Sequence, residues 1–184
     1  MSKQLGKLEA QDQIAGARYV FLKFKKTRWL SQQSYVDPGK IALWGWSYGG
    51  YLTAKVLEVD SGVISLGMSV APVTDWKYYD TMYTERYMKT PQMNPEGYQS
   101  SSVSKMDGFQ HAKFLLAHGT ADDNVHFQHA AQLIWYLTGS HAKNYRVQYY
   151  TDSDHGISAN GARSAIYDLL RSFVSDAFGV NDKT

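Results

Sequence analysis

A chain of 184 residues, 43% of them apolar, is long enough to bury one sizeable core. Its formal net charge of +2 argues against a binder driven by phosphate contacts, so no nucleic-acid partner is expected. The absence of cysteine excludes a disulfide framework, a thiol nucleophile and a cysteine zinc site. No apolar run approaches the ~20 residues of a membrane span, and neither a secretory signal pattern nor an Asn-x-Ser/Thr sequon is read.

The predicted elements alternate between helix and strand. Residues 8 to about 30 are helical in composition, and Lys23, Lys25, Lys26 and Arg28 within them read as a solvated basic face. Asp37-Pro38-Gly39-Lys40 signals a turn. Residues 41–44 form a short apolar strand, 48–59 a helix and 66–71 a second strand stopped by Pro72. One or two short helices are expected over 75–88 and a loop over 91–97. Strands follow at 114–118 and 145–150, with helices over 127–137 and 162–178. Strands separated by helices imply a parallel sheet covered on both faces. In such sheets ligands bind beyond the carboxyl ends of the strands.

Gly45-Trp46-Ser47-Tyr48-Gly49-Gly50 follows the first strand and opens a helix. That context makes the G-x-S-x-G pattern a nucleophile elbow, in which a strained turn lifts the serine hydroxyl above the sheet. The bland alternative is a glycine-rich strand-to-helix turn. Serine needs a base within reach, and the base needs an orienting carboxylate. Asp122 follows the third strand and His155 the fourth, so Ser47, Asp122 and His155 fall on one edge of the sheet in the chain order of the α/β-hydrolases. Asp122 is preferred to its neighbour Asp123 by position, while Asp152 and Asp154 lie too close to His155 in sequence to orient it. Among the other histidines, His118 ends a strand and reads as a packing or hydrogen-bonding residue. His126 and His129 lack a third metal ligand, so no metal is expected, and His111 and His141 read as surface residues. Tyr79, Tyr83 and Arg86 have the spacing of one helix face, which suits either core packing or a substrate pocket with aromatic walls and a cationic anchor.

Gly45-Trp46-Ser47-Tyr48-Gly49-Gly50-Tyr51, Tyr83-Thr84-Glu85-Arg86-Tyr87-Met88, His118-Gly119-Thr120-Ala121-Asp122-Asp123-Asn124-Val125-His126 and Tyr150-Thr151-Asp152-Ser153-Asp154-His155-Gly156 carry a resemblance. They resemble the catalytic domain of the dipeptidyl peptidase IV and fungal dipeptidyl aminopeptidase branch of the prolyl oligopeptidase family. The resemblance implies an α/β-hydrolase fold and a triad of Ser47, Asp122 and His155, with the Tyr48 N–H donating to the oxyanion. It further implies that Val73, Trp76, Tyr79, Tyr83 and Val125 line a pocket for a penultimate proline or alanine. Arg86 and Asn124 would bind the carbonyl of the substrate's first residues. Implied with them are release of N-terminal dipeptides through an acyl-enzyme, peptide substrates and no cofactor. A homodimer formed through the hydrolase domain of the full-length protein is implied as well, with a vacuolar-membrane (type II anchor) or secreted location.

Against that family, residues 1–184 are expected to be part of the catalytic domain, without its upstream strands and β-propeller. The resemblance implies that this upstream part would carry a tyrosine that completes the oxyanion hole and the paired glutamates that hold the substrate's amino terminus. Residues 19–28 look like an insertion. The open edge of the first strand is expected to make the isolated chain aggregation-prone or dependent on the absent segment. Three readings stand: a serine dipeptidyl peptidase, a non-catalytic remnant, and a general α/β-hydrolase esterase.

Overall fold

The computed structural model describes residues 3–21, 33–37, 39–59 and 62–180. Strands β1 (Ala42–Trp46), β2 (Leu66–Val70), β3 (Lys113–Gly119) and β4 (Tyr145–Tyr150) form a parallel sheet in the order β1-β2-β3-β4. Trp46 sits opposite Val70, Val70 opposite Ala117, and Gly119 opposite Tyr150. All four carboxyl ends therefore share one edge.

Parallel strands need crossovers, and helices supply them. Helix α1 (Lys7–Phe21) precedes β1, and α2 (Tyr48–Glu58) follows it. Helices α3 (Thr81–Met88) and α4 (Pro95–Ser101) lie between β2 and β3, α5 (Gln128–Gly139) follows β3, and α6 (Ala162–Phe178) follows β4. The strand period sends alternate side chains to opposite faces. On β3, Phe114 and Leu116 join the core under α2 and α5, while Leu115 and Ala117 join the core under α6. Inner strand β2 is buried along its whole length. Strand β1 is an edge among the described strands, and its Trp44 is 50% exposed. Helix α1 covers part of α2, packing Ala10 and Ile14 against Val56. Within α2, Lys55 and Glu58 form a buried ion pair whose two members also bond the end of α4 and the segment after it. Lys55 Nζ also donates to the Ser100 and Ser102 carbonyls, and Glu58 Oε1 accepts the Ser104 and Lys105 N–H groups.

The expected elements are present with small shifts at their ends, and two differences have clear causes. The expected loop over 91–97 runs into α4, because Asn94 caps the helix by accepting from the Gly97 N–H at 3.2 Å and Pro95 occupies its first turn. Seven residues are too few for periodicity to reveal that helix. The segment 75–88 is a single 3₁₀ turn (Trp76–Tyr78) followed by α3, so Tyr79 is extended and does not share a continuous helix face with Tyr83 and Arg86. The helix expected to reach about residue 30 is described to Phe21. Residues 22–28 of the expected insertion lie outside the described residues.

Candidate active site

The chain leaves β1 at Trp46 and turns at Ser47, whose φ of +59° and ψ of −118° are rarely adopted by an L-residue. The Ser47 N–H donates to the Val70 carbonyl at 2.8 Å, and the Ser47 carbonyl accepts from Tyr51 at 3.0 Å. These bonds hold the strained turn between β2 and the new helix. A Cβ on Gly45 would lie 2.2 Å from the Gly49 carbonyl carbon, so only glycine lets α2 start this close to the strand. The Tyr48 N–H stands in the first turn of α2, where N–H groups have no intrahelical acceptor and the helix dipole is positive.

Asp122 lies three residues beyond β3 and is buried, whereas Asp123 is exposed. Its Oδ1 accepts the Asn124 N–H at 3.0 Å and the Val125 N–H at 2.8 Å. Its Oδ2 lies 2.8 Å from His155 Nδ1. Burial alone would raise the carboxyl pKa, but His118, His155 and the Asn124 N–H outweigh it and hold the group well below the usual carboxylate range. Asp122 is thus held as an anion against the His155 ring.

The His155 loop is held from both sides. Trp46 Nε1 donates to the His155 carbonyl at 2.9 Å, and Ala121 N–H donates to the Ser153 carbonyl at 3.0 Å. Two residues on, Ile157 has φ +47°, a real outlier for a β-branched side chain. Such strain costs roughly 1–3 kcal/mol. Full burial of the isoleucine in the core under α6 contributes about as much in return. The loop is pinned where His155 meets Asp122. No hydrogen bond joins the Ser47 hydroxyl to the His155 ring among the described contacts. Their link runs through Trp46, the residue before the serine. Catalytic hydrogen bonds often tighten only when substrate is bound.

Beside Ser47 lies an aromatic cluster. Trp76 is buried, stacked on Tyr83 at 5.9 Å and met edge-on by Tyr51 and Tyr79 at 5.1 and 5.7 Å. Tyr48 adds its ring 5.8 Å from Trp76 and donates its hydroxyl to Glu9 Oε1 at 2.9 Å. Tyr79 and Tyr83 are partly exposed, and burial raises the pKa of both phenols. Tyr79 Oη donates to Asn124 Oδ1 at 3.0 Å, joining the cluster to the Asp122 loop. Val73, Trp76 and Val125 are almost fully buried, so they form the backing of this wall and not its exposed surface. Arg86 lies on the exposed face of α3.

Trp46, Ile157 and Glu9 support the site without any signal in the sequence. Their contacts span long sequence separations, and no local pattern signals them. His129 is buried with Nδ1 accepting the Thr74 N–H at 3.1 Å, and burial lowers its pKa to about 4. Among the described residues, no group of His, Asp and Glu is arranged to hold a metal ion.

The family model described as the prolyl oligopeptidase family matches residues 1–181. A probable dipeptidyl-aminopeptidase B of Metarhizium robertsii is 49% identical over 177 residues, covering 95% of this chain and 18% of the relative. A probable dipeptidyl peptidase 4 of Emericella nidulans is 50% identical over 174 residues, covering 92% of this chain and 21% of the relative. The crystal structure of Porphyromonas gingivalis dipeptidyl peptidase 4 superposes with a TM-score of 0.80 at 37% identity, covering 94% of this chain and 23% of that one. The chain spans about a fifth of the length of the curated relatives it matches. A four-stranded parallel sheet, a serine elbow and an Asp–His pair on one sheet edge agree with these matches: the chain has a partial α/β-hydrolase fold and belongs to the prolyl oligopeptidase family of peptidases.

Proposed function

We propose that this chain carries the catalytic residues of a serine exopeptidase that releases N-terminal dipeptides with proline or alanine at the penultimate position. The observation that carries this reading is the 2.8 Å bond between buried Asp122 and His155, on the sheet edge that also presents Ser47 in its strained turn. In the reaction, Ser47 Oγ attacks the scissile carbonyl carbon while His155 Nε2 takes its proton. Asp122 Oδ2 holds the Nδ1–H and stabilises the imidazolium that forms. The Tyr48 N–H donates to the oxyanion of the tetrahedral intermediate. Collapse breaks the peptide bond, and His155 returns the proton to the leaving amine. Water, deprotonated by His155, then attacks the acyl-enzyme, frees the dipeptide and restores the Ser47 hydroxyl.

Partly exposed Tyr79 and Tyr83, backed by Trp76, Val73 and Val125, offer an apolar wall for a flat prolyl ring or a small alanine side chain. Asn124, held by Tyr79, and exposed Arg86 are the polar groups beside it for the substrate carbonyl. Peptides are the substrates under this reading. The full-length protein would form a homodimer through its hydrolase domain and reside at the vacuolar membrane or outside the cell.

A fluorophosphonate probe tests the assembled triad. Covalent labelling that is abolished by Ser47→Ala is the expected result, and an unlabelled folded chain would sink the proposal. In the full-length protein, Gly-Pro and Ala-Pro amides should be cleaved with dipeptide release. Cleavage of nitrophenyl esters without dipeptide release would instead favour an esterase.

A further inference from the structure

Strand β3 places one polar side chain where its neighbours are apolar. Phe114 and Leu116 point into the core under α5, and His118, two residues further along the same face, is equally buried. A buried polar group in an apolar run needs a reason. His118 Nε2 lies 2.7 Å from the Val125 carbonyl oxygen and 3.3 Å from Asp122 Oδ2. A carbonyl only accepts, so Nε2 carries the proton. Nδ1 is buried with no hydrogen-bond partner, and the ring stands edge-on to Phe127 at 6.1 Å.

An ionised carboxylate offers about four lone-pair sites. For Asp122 the groups around it match that number. Two backbone N–H groups bond Oδ1, and His155 Nδ1 meets Oδ2. His118 Nε2 stands 3.3 Å from Oδ2 as the fourth polar neighbour. The Nε2 proton bonds the Val125 carbonyl, and the Val125 N–H bonds Asp122. His118 therefore grips the Asp122 loop at two points.

We infer that His118 is a positioning residue for the Asp122–His155 pair: its Nε2 proton, shared between the Val125 carbonyl and Asp122 Oδ2, fixes the facing of the carboxylate and tempers the charge it presents to His155. This inference rests on the proposed role of that pair. With the donor removed, Oδ2 has one bare lone pair and turns its full charge on His155. The imidazolium is then better stabilised and His155 becomes more basic. The other titratable groups near Asp122 are Asp123 and His126 on its own loop, Tyr79 from the segment before α3, His129 on α5 and Asp154 beside His155. None of them has a hydrogen bond to Asp122 among the described contacts.

The test follows the His155 ring by NMR through a pH titration of the full chain with labelled histidine rings. His118→Phe keeps a ring and removes the donor, and His118→Gln returns an N–H near the place of Nε2. His118→Phe should move the His155 midpoint upward from the parent's. The acidic limb of fluorophosphonate labelling should move with it, and His118→Gln should return both toward the parent. An unmoved midpoint in His118→Phe, with labelling lowered only in step with stability, would overturn the inference and leave His118 a packing residue. If His118→Phe does not fold, His118→Met against His118→Gln makes the same comparison at matched size, and equal midpoints overturn it. The midpoint is read without turnover. A full-length protein that releases no dipeptide would refute the proposed function and still leave His118 decided.

Discussion

Gly119 is the position where the smallest change should do most to the site. It ends β3, and a Cβ there would lie 2.3 Å from the Ser153 carbonyl oxygen and 2.7 Å from the Asp154 carbonyl oxygen. Ordinary contact begins near 3.4 Å, so Gly119→Ala must move one backbone away from the other by about 1 Å. The atoms in the way are main chain and cannot swing aside. Asp154 directly precedes His155, so the displacement passes to the imidazole. A His155–Asp122 distance of 2.8 Å lengthened by about 1 Å is no longer a hydrogen bond. Misplacement of that size costs about 100-fold in rate. The rate of fluorophosphonate labelling, measured beside the melting temperature, reads the effect. A loss of about 100-fold with the fold retained is expected. Labelling at the parental rate would show that the His155 loop is not set by its packing on β3.

Other perturbations give distinct readings. Asp122→Asn leaves the loop bonds available to Oδ1 but removes the anion that selects the His155 tautomer, so labelling should fall by about 10,000-fold with little loss of stability. His129 is neutral in the folded chain, with a pKa lowered from 6.5 to about 4 by burial. The unfolded chain binds that proton first as pH falls, so stability drops from about pH 6.5 downward and the loss is complete below about pH 4. The span is worth about 3 kcal/mol. Denaturant unfolding of His129→Asn, which keeps an acceptor for the Thr74 N–H, should show a correspondingly flatter acid limb. Lys55→Met strands the Glu58 carboxylate in a buried site and should cost about 3–5 kcal/mol. The double change Lys55→Met with Glu58→Gln should recover part of that loss, because no buried charge is left unpaired.

Much of the fold was legible because its signals are local. Apolar runs at β2 and β3 mark strands buried on both faces, and the glycines around Ser47 mark a tight strand-to-helix turn. Helix α4 is not legible in the sequence because its signals are a cap and a proline over seven residues, a pattern shared with turns. The stripe of Tyr79, Tyr83 and Arg86 has helical spacing, yet Tyr79 is extended. Asp80 caps α3 by accepting the Tyr83 N–H at 3.1 Å, so the helix begins after Tyr79. Helical spacing alone does not reveal a start between two members of the stripe.

Ser47, Asp122 and His155, their order and their place on one edge of a parallel sheet follow from the sequence alone, because strand patterning sets which ends of the strands coincide. Position in the sequence already prefers Asp122 to Asp123, and tertiary structure adds the physical reason. Only the fold buries Asp122 and brings it to His155, 33 residues away. Trp46 holding the His155 loop across 109 residues, Gly119 against the Ser153 carbonyl and His118 beside the carboxylate are long-range contacts of the same kind. No local propensity encodes them. They arise when β1, β3 and β4 pack into one sheet.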